Sequence, residues 1–314
     1  MHGCSFIGKI DVGATTRNDE QERAGRRRME WDSIEDLGLD NVLLLDRMNE
    51  LDERDVLYPF ALDELLCRQT GRGGPAICHI WRHPRGFVMG LKDSRLPGAS
   101  EAERLLQADG WATAVRNSGG AAVPLDLGVI NISLIMRKPD VDSFHFHEDF
   151  ERMYGLIRHA LKETGCRVDK GEIRGAYCPG EFDLSIDGLK FCGIAQRRQT
   201  HAYIVQAFVV AEGSGQERAG FVRSFYDKAA DRQNASDFPL VTEESTASLE
   251  QLTNLGAGAG RAFVDALKGV ILSQQTESGL REAEEKLAMP TSEQILSMAA
   301  VLRARYAIQE KEAD

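Results

Sequence analysis

The 314-residue chain lacks the features of a secreted, membrane-spanning or disulfide-stabilised protein. No apolar run approaches the roughly 18 residues of a membrane-spanning helix, and the N-terminal segment contains no apolar secretion signal. Its six cysteines form no Cys-X-X-Cys pair and are too sparse for a disulfide framework. We therefore expect a cytoplasmic protein with reduced cysteines and no zinc site.

Excess positive charge, internal repeats and long low-complexity linkers are also missing. The net charge of −11 disfavours nucleic acids and anionic membranes as bulk electrostatic partners. Residues 1–34 are polar and rich in Arg and Glu, which predicts a disordered extension. A main domain is predicted at 35–278 and a helical C-terminal segment at 279–314.

Apolar periodicity predicts several helices. One helix is entered at Pro59, and another starts at Ser100 with Glu103 completing a capping box. A strongly amphipathic helix ends at Gly165, and the C-terminal third is helical. These helices are expected to alternate with strands rather than to form a bundle.

The strand patterns favour a mixed, mostly antiparallel sheet. A strand starts near Asn41, two more turn around Pro84, and 182–211 reads as a three-stranded meander. "INISLIM" alternates, so Asn131 and Ser133 are expected on the polar face of a half-buried strand. Helices interspersed among such strands predict an α+β fold.

An Asp-Gly pair at 187–188 predicts a tight hairpin. Its register would pair Ser185 with Lys190 and Asp183 with Cys192, which places all four side chains on one polar face. Polar strand faces usually meet water, so the pattern alone predicts an exposed Lys190.

Cys178 precedes Pro179 and Gly180, so its sulfur is expected on a turn. A reactive thiolate needs a nearby cation, and Lys190 is a candidate. Extending the hairpin, however, would leave Cys178 opposite Arg197, roughly 20 Å from Lys190. Cys178 is therefore either a buried structural thiol, or a nucleophile whose loop folds back towards Lys190.

Two further segments have modest signals. "RNSGGAA" has two glycines that would let backbone N–H groups approach a ligand, although an ordinary turn fits equally well. His145 and His147 have no second ligand pair at metal spacing, so no metal is predicted.

Five motifs taken together resemble the biotin/lipoate protein ligase superfamily over roughly residues 57–213. They are "PFALDELLC", "WRHPRGFVMGLKDSRLP", "VRNSGGAAVPLDLGVINISLI", "GAYCPGEFDLSIDGLKFCGIAQRR" and "AYIVQAFVVAEG". The similarity is greatest to the octanoyl-[GcvH]:protein N-octanoyltransferase, or lipoyl amidotransferase, branch. It implies that superfamily's catalytic-domain fold over 35–278.

The resemblance also implies site residues. Cys178 would be the acyl-thioester nucleophile, and Lys190 would lower its pKa. The implied borders of the acyl pocket are Arg116, Ser118, Gly119 and Gly120, with Asn131 facing it. No cofactor is implied. ATP-using lipoate ligases have Arg, Gly and His where this chain has Asn117, Ala121 and Leu125, so adenylate formation is not expected.

The implied reaction moves an octanoyl group from the glycine cleavage H protein (GcvH) to the lysine of E2 lipoyl domains. Three alternatives stay open: octanoyl transfer from acyl carrier protein, ATP-dependent lipoate ligation, and a non-catalytic module that binds lipoyl domains. Arg116, Arg197 and Arg198 would either meet an acidic lipoyl domain or form an ordinary solvated face.

Overall fold

A computed structural model of the protein describes residues 33–138, 146–230 and 238–308. The predicted extension at 1–34, except its last two residues, lies outside these ranges, as does His145. The strands are β1 (Val42–Arg47), β2 (Ala76–Trp81), β3 (Arg85–Met89), β4 (Ala112–Val115), β5 (Val123–Asp126), β6 (Val129–Arg137), β7 (Asp169–Lys170), β8 (Leu184–Ile186), β9 (Leu189–Arg198) and β10 (Ala202–Val210).

Helices connect and cover these strands. They are α1 (Tyr58–Gly71), α2 (Ala99–Ala108), α3 (Phe146–Ala160), α4 (Gly215–Ala229), α5 (Leu249–Leu252), α6 (Ala259–Leu272), α7 (Glu277–Lys286) and α8 (Ser292–Tyr306). Within the described ranges, every helix is too short or too polar to span a bilayer.

The strands form two sheets. The larger has the order β1-β2-β6-β10-β9-β8-β7, and the smaller has the order β4-β3-β5. Only the β1–β2 and β3–β4 pairs are parallel among the paired strands described. This arrangement confirms the predicted α+β class with a mostly antiparallel sheet.

The large sheet is buried on both faces. One face packs with α1, α4, α8 and the small sheet around one hydrophobic core. The other face packs with α3 and α6 around a second core. Asn131 and Ser133 are 7% and 1% exposed, so the prediction of a half-buried β6 is wrong. The pattern marked the two faces correctly, but the small sheet and α1 cover the polar one.

Buried polar side chains on that face are connected through α1. Asp63 accepts hydrogen bonds from the Ser133 hydroxyl at 2.6 Å and from the Gln206 amide at 3.0 Å, and its other oxygen lies 2.7 Å from His79 Nδ1. Because a buried carboxylate is costly unless it is hydrogen-bonded, this network fixes how α1 lies on the sheet.

The expected start of one helix is corrected. The helix α2 begins at Ala99 after Gly98, without a side-chain cap, and Glu103 instead accepts a hydrogen bond from the Thr113 hydroxyl at 2.9 Å. The two strands predicted on either side of Pro84 are confirmed; β2 belongs to the large sheet and β3 to the small one.

The β8–β9 hairpin forms at the predicted turn, where residues 187 and 188 both have positive φ. Lys190 pairs with Ser185 as expected, but Leu184 then pairs with Cys192, so Phe191 is an extra, bulged residue. The bulge rotates Cys192 into the core beneath α3 and α6. The predicted common face for Lys190 and Cys192 is therefore wrong, and so is the exposed Lys190, which is 0% exposed.

The C-terminal helix α8 shares its core with α1. Ile295, Met298 and Leu302 are buried in the same cluster as the α1 side chains. The predicted boundary between the main domain and the 279–314 segment falls inside α7. The division itself stays a prediction.

Replacing Leu302 with alanine should lower the free energy of unfolding by about 2–4 kcal/mol, because it leaves a cavity in this core. Leu302 is 4% exposed, whereas the neighbouring Val301 is 54% exposed and is the matched control. Val301→Ala should change stability by no more than about 0.5 kcal/mol. Urea denaturation measures both, and equal effects would contradict the packing of α8.

Candidate active site

Cys178 lies in the connection between β7 and β8, with its backbone in the left-handed region at φ 47°. It is one of three non-glycine residues with positive φ among those described. This conformation costs on the order of 1–3 kcal/mol for a residue with a side chain, and such strain concentrates at functional sites. The side chain is 7% exposed.

Two N–H groups lie within hydrogen-bonding distance of the Cys178 sulfur. Arg116 Nη2 is 3.1 Å from Sγ, and the backbone N of Ala121 is 3.3 Å from it. The same Nη2 donates to the carbonyl of Ala121 at 2.7 Å. A guanidinium and a backbone N–H thus meet at one sulfur, and donors of these two kinds stabilise the thiolate in nucleophilic cysteines.

The glycine pair of "RNSGG" has unequal roles in this geometry. A side chain at Gly120, where φ is 101°, would place Cβ 2.9 Å from the Cys178 sulfur and 2.2 Å from Arg116 Nη2. A Cβ at Gly119 would meet nothing within 4 Å. Gly120 is therefore the residue whose missing side chain lets the loop approach the sulfur.

Lys190 holds the backbone of the cysteine turn. Its Nζ donates to the carbonyls of Tyr177 at 2.8 Å and Cys178 at 2.6 Å, and it forms a 2.8 Å ion pair with Asp183. Burial raises the pKa of Asp183, and the adjacent ammonium opposes that rise. The Lys190 ammonium thus contacts main-chain carbonyls of the cysteine turn, whereas Arg116 contacts the Cys178 sulfur itself.

The loop therefore does fold back, and the simple extension that placed Cys178 opposite Arg197 is wrong. A covering segment, residues 242–247, lies against the β7–β8 connection and β9. Thr242 N donates to the carbonyl of Gly175 at 2.8 Å, and Ala247 N donates to the carbonyl of Lys190 at 3.0 Å. These contacts bury Lys190 and keep the turn against β9.

A cavity opens beside the Cys178 sulfur, between the large sheet, the small sheet and α1. Cys178 and Arg116 line it. Its apolar walls include Phe60, Trp81, Val88, Val123, Leu125 and Phe208. The apolar walls suit a small, largely apolar group.

A polar donor without a partner also lines this cavity. Asn131 lines it, and its Nδ2 has no hydrogen-bond partner within the described residues. Ser118 is not among the residues that line the cavity; it is 4% exposed, and its hydroxyl likewise lacks a partner within the described residues. Buried polar atoms without partners are uncommon, so the Asn131 amide is available to a ligand in the cavity.

The other predicted residues are placed elsewhere. Cys192 is fully buried on the opposite face, and burial raises the pKa of its thiol. Arg197 pairs with Glu64 at 3.3 Å, and Arg198 pairs with Asp149 at 2.8 Å. These two arginines are partly buried ion-pair partners rather than a free basic patch.

The His147 ring packs edge-on against the ring of Phe182, with 5.9 Å between the two ring centroids. Nowhere in the described ranges do three or more His, Cys, Asp or Glu side chains converge as metal ligands would.

Sequence patterns missed the partners of the sulfur. Arg116 was placed at the pocket border, and nothing in its spacing indicates a contact with Cys178, 62 residues later. Asp183, in contrast, had a signal, because parity placed it on the face of Lys190. Tyr226, which accepts a hydrogen bond from Ala122 N, and Asp93, which accepts one from Tyr226, had none.

Comparison with known proteins agrees with this architecture. The model of the lipoyl protein ligase A/B catalytic domain matches residues 55–267. The structure of an archaeal bipartite lipoate protein ligase and its E2 lipoyl domain from Thermoplasma acidophilum has a TM-score of 0.54 at 18% identity. The match covers 87% of this chain and 98% of that chain, and it shows the common fold.

Two curated relatives are more similar in sequence. An Anoxybacillus flavithermus protein named octanoyl-[GcvH]:protein N-octanoyltransferase is 42% identical over 201 residues, which cover 63% of this chain and 72% of that protein. A Listeria monocytogenes protein named lipoyl-[GcvH]:protein N-lipoyltransferase is 36% identical with the same coverage. The superfamily inferred from the motifs is confirmed: the chain belongs to the lipoyl protein ligase A/B catalytic domain family.

Proposed function

We propose that the protein is an acyltransferase that moves an octanoyl group from the lipoyl lysine of GcvH to the lysine of an E2 lipoyl domain. The observation that carries this proposal is the Cys178 sulfur, held by Arg116 and Ala121 at the edge of an apolar cavity. The names of the relatives support the same donor and acyl group.

In the first half-reaction, the Cys178 thiolate attacks the carbonyl carbon of the octanoyl amide. The C–N bond breaks, a thioester forms, and the donor lysine leaves as an amine that takes up the proton lost by the thiol. In the second half-reaction, the acceptor lysine attacks the thioester and restores the thiol. One amide replaces another, so no ATP and no cofactor are required.

The groups around Cys178 are proposed to stabilise two negatively charged species, the thiolate and the oxyanion that forms at the attacked carbonyl. Arg116 and the Ala121 N–H stabilise the thiolate, and the backbone of Gly119 and Gly120 is the proposed donor to the developing oxyanion. The unpartnered Ser118 hydroxyl and Asn131 amide are assigned to substrate binding. The octanoyl chain would occupy the cavity walled by the apolar side chains of the two sheets.

Lys190 is proposed to favour the thiolate through its buried charge and through the turn that it holds. Its Nζ hydrogen bonds to the Tyr177 and Cys178 carbonyls keep the left-handed cysteine in place. Asp183 keeps this buried ammonium paired. The Lys190–Asp183 pair is therefore proposed to act on the nucleophile and not to contact the substrate.

The location is proposed to be the cytoplasm. The five cysteines among the described residues, including Cys178, are all free thiols, which suits a reducing compartment.

Two other acyl donors are alternatives to octanoyl-GcvH. The Listeria relative is named for lipoyl transfer, so lipoylated GcvH is one. Octanoyl acyl carrier protein is the other, since it would use the same nucleophile. ATP-dependent ligation is disfavoured because Asn117, at an arginine position of the ligase motif, donates to Glu64 at 3.1 Å within the protein.

Cys178→Ala should abolish transfer to an E2 lipoyl domain, because the acyl carrier atom is removed. Cys192→Ala is the matched control and should keep most activity, because that thiol faces the opposite core. Mass spectrometry of the acceptor measures both. A fully active Cys178→Ala, or an equal loss in the two variants, would contradict the mechanism.

The same assay identifies the donor. Octanoyl-GcvH, lipoyl-GcvH, octanoyl acyl carrier protein, and free octanoate with ATP are supplied separately, and octanoyl-GcvH should give the fastest transfer. Stable complex formation with no acyl transfer from any donor would instead indicate a non-catalytic lipoyl-domain-binding protein.

Lys190→Met should destabilise the fold by about 3–5 kcal/mol at neutral pH, because Asp183 is left buried and unpaired. Without the ammonium, the already raised pKa of Asp183 rises further. The folded state then holds a proton that the unfolded state releases above about pH 4, so the variant should lose stability as pH rises. Unfolding measured between pH 5 and pH 8 checks this slope.

Asp183→Asn in the Lys190→Met background should restore stability and remove the slope. This double variant, which should be folded, then tests the chemical role: thioester formation should be slow and should recover partly at higher pH. A wild-type pH profile in the double variant would limit Lys190 to a structural role.

A further inference from the structure

The position of the loop at residues 117–122 determines whether a backbone N–H points at the sulfur. Ala121 N points to Cys178 Sγ, while the next amide, Ala122 N, donates to the hydroxyl of Tyr226 at 3.2 Å. The two donors serve partners on different sides of the loop. Fixing Ala122 therefore fixes the orientation of the peptide that precedes it.

Tyr226 is itself held by a second buried group. Its hydroxyl donates to Asp93 Oδ1 at 2.9 Å, and the other oxygen of Asp93 accepts a hydrogen bond from Gly90 N at 2.7 Å. Tyr226 and Asp93 are each 2% exposed. A continuous chain of hydrogen bonds thus runs from the end of β3, through α4, to Ala122.

The end of β3 also packs directly against the loop. A Cβ at Gly90 would lie 2.1 Å from the Gly120 carbonyl oxygen and 3.1 Å from the Ala121 Cα. Because no side chain fits there, the loop rests on the backbone of residue 90. Asp93 accepts a hydrogen bond from the Gly90 amide and thereby fixes that backbone. It therefore holds the loop in two ways, through residue 90 and through Tyr226.

The pKa shifts of Tyr226 and Asp93 are consistent with this direction of hydrogen bonding. Burial and the neighbouring Asp93 carboxylate raise the pKa of Tyr226, so its hydroxyl keeps its proton and donates. Burial also raises the pKa of Asp93, and the Gly90 N–H and the Tyr226 hydroxyl counteract that rise. Tyr226 accepts from Ala122 and donates to Asp93 at once.

We propose that Tyr226 and Asp93 are positioning residues, which aim the Ala121 N–H at the Cys178 sulfur and thereby set the reactivity of the thiolate. The inference rests on the proposed nucleophilic role of Cys178. It assigns a role in the chemistry to α4 and to the turn after β3, neither of which supplies the two N–H groups found at the sulfur.

The test measures alkylation of Cys178 by iodoacetamide as a function of pH, with the modified peptide quantified by mass spectrometry. Tyr226→Phe keeps the ring and removes the hydroxyl. Its rate at neutral pH should fall about tenfold, the expected effect of weakening one hydrogen bond to a charged group, and the profile should shift to higher pH. In transfer assays kcat should fall while KM for the donor changes little.

Tyr203→Phe is the matched control. Tyr203 is also a buried tyrosine, and its hydroxyl accepts from Arg152 Nη1 at 2.6 Å, but it belongs to the opposite core. Its alkylation profile should equal that of the wild type. Equal profiles for wild type and Tyr226→Phe, or equal slowing in both phenylalanine variants, would overturn the proposal.

Variants at Asp93 give a second measurement. Asp93→Asn keeps one carbonyl acceptor and should lie between wild type and Asp93→Ala in alkylation rate; no difference between these three would contradict the role of Asp93. Because alkylation needs no acyl donor, the two hypotheses fail separately. A normal Tyr226 effect in a protein that forms no octanoyl thioester would reject the proposed function and keep the positioning role.

Discussion

The contact of the Cys178 sulfur with Arg116 and with the loop at residues 117–122 is the constraint on which the rest of the site depends. A guanidinium and a backbone N–H reach the sulfur only because Gly120 has no side chain and because Cys178 adopts a left-handed backbone. Both features are unfavourable in isolation. The surrounding structure has to hold each of them in place.

Buried polar groups provide that support from two sides. Lys190, paired with Asp183, holds the carbonyls of the cysteine turn, and Tyr226 with Asp93 holds the opposing loop. Such groups add little net stability, because desolvation offsets much of their attraction. Their effect is directional: each fixes one backbone segment relative to the sulfur. The apolar cavity remains open beside it.

The sequence predicted the elements better than their surroundings. The Asp-Gly turn set the first two residue pairs of the β8–β9 hairpin, but the bulge at Phe191 has no local signal and reversed the side of Cys192. Alternation identified the face of Asn131, but the burial of that face depends on the small sheet and α1.

The site itself was predicted only in part. The motifs indicated Cys178 and Lys190, and the structure brings the lysine to the backbone of the cysteine turn. Contacts made across long separations had no local pattern: Arg116 with Cys178 spans 62 residues, and Ala122 with Tyr226 spans 104. Packing of whole elements decides such contacts, and no spacing rule within one segment describes them.

The most direct test of the account is to find where the acyl group resides between donor and acceptor. The enzyme is mixed with octanoylated GcvH in the absence of any lipoyl-domain acceptor, quenched in acid and digested, and its peptides are measured by mass spectrometry. The account predicts an octanoyl adduct on the peptide that contains Cys178, released by neutral hydroxylamine as thioesters are. An adduct on another residue, or octanoyl transfer that proceeds on adding acceptor without any adduct on Cys178, would contradict it.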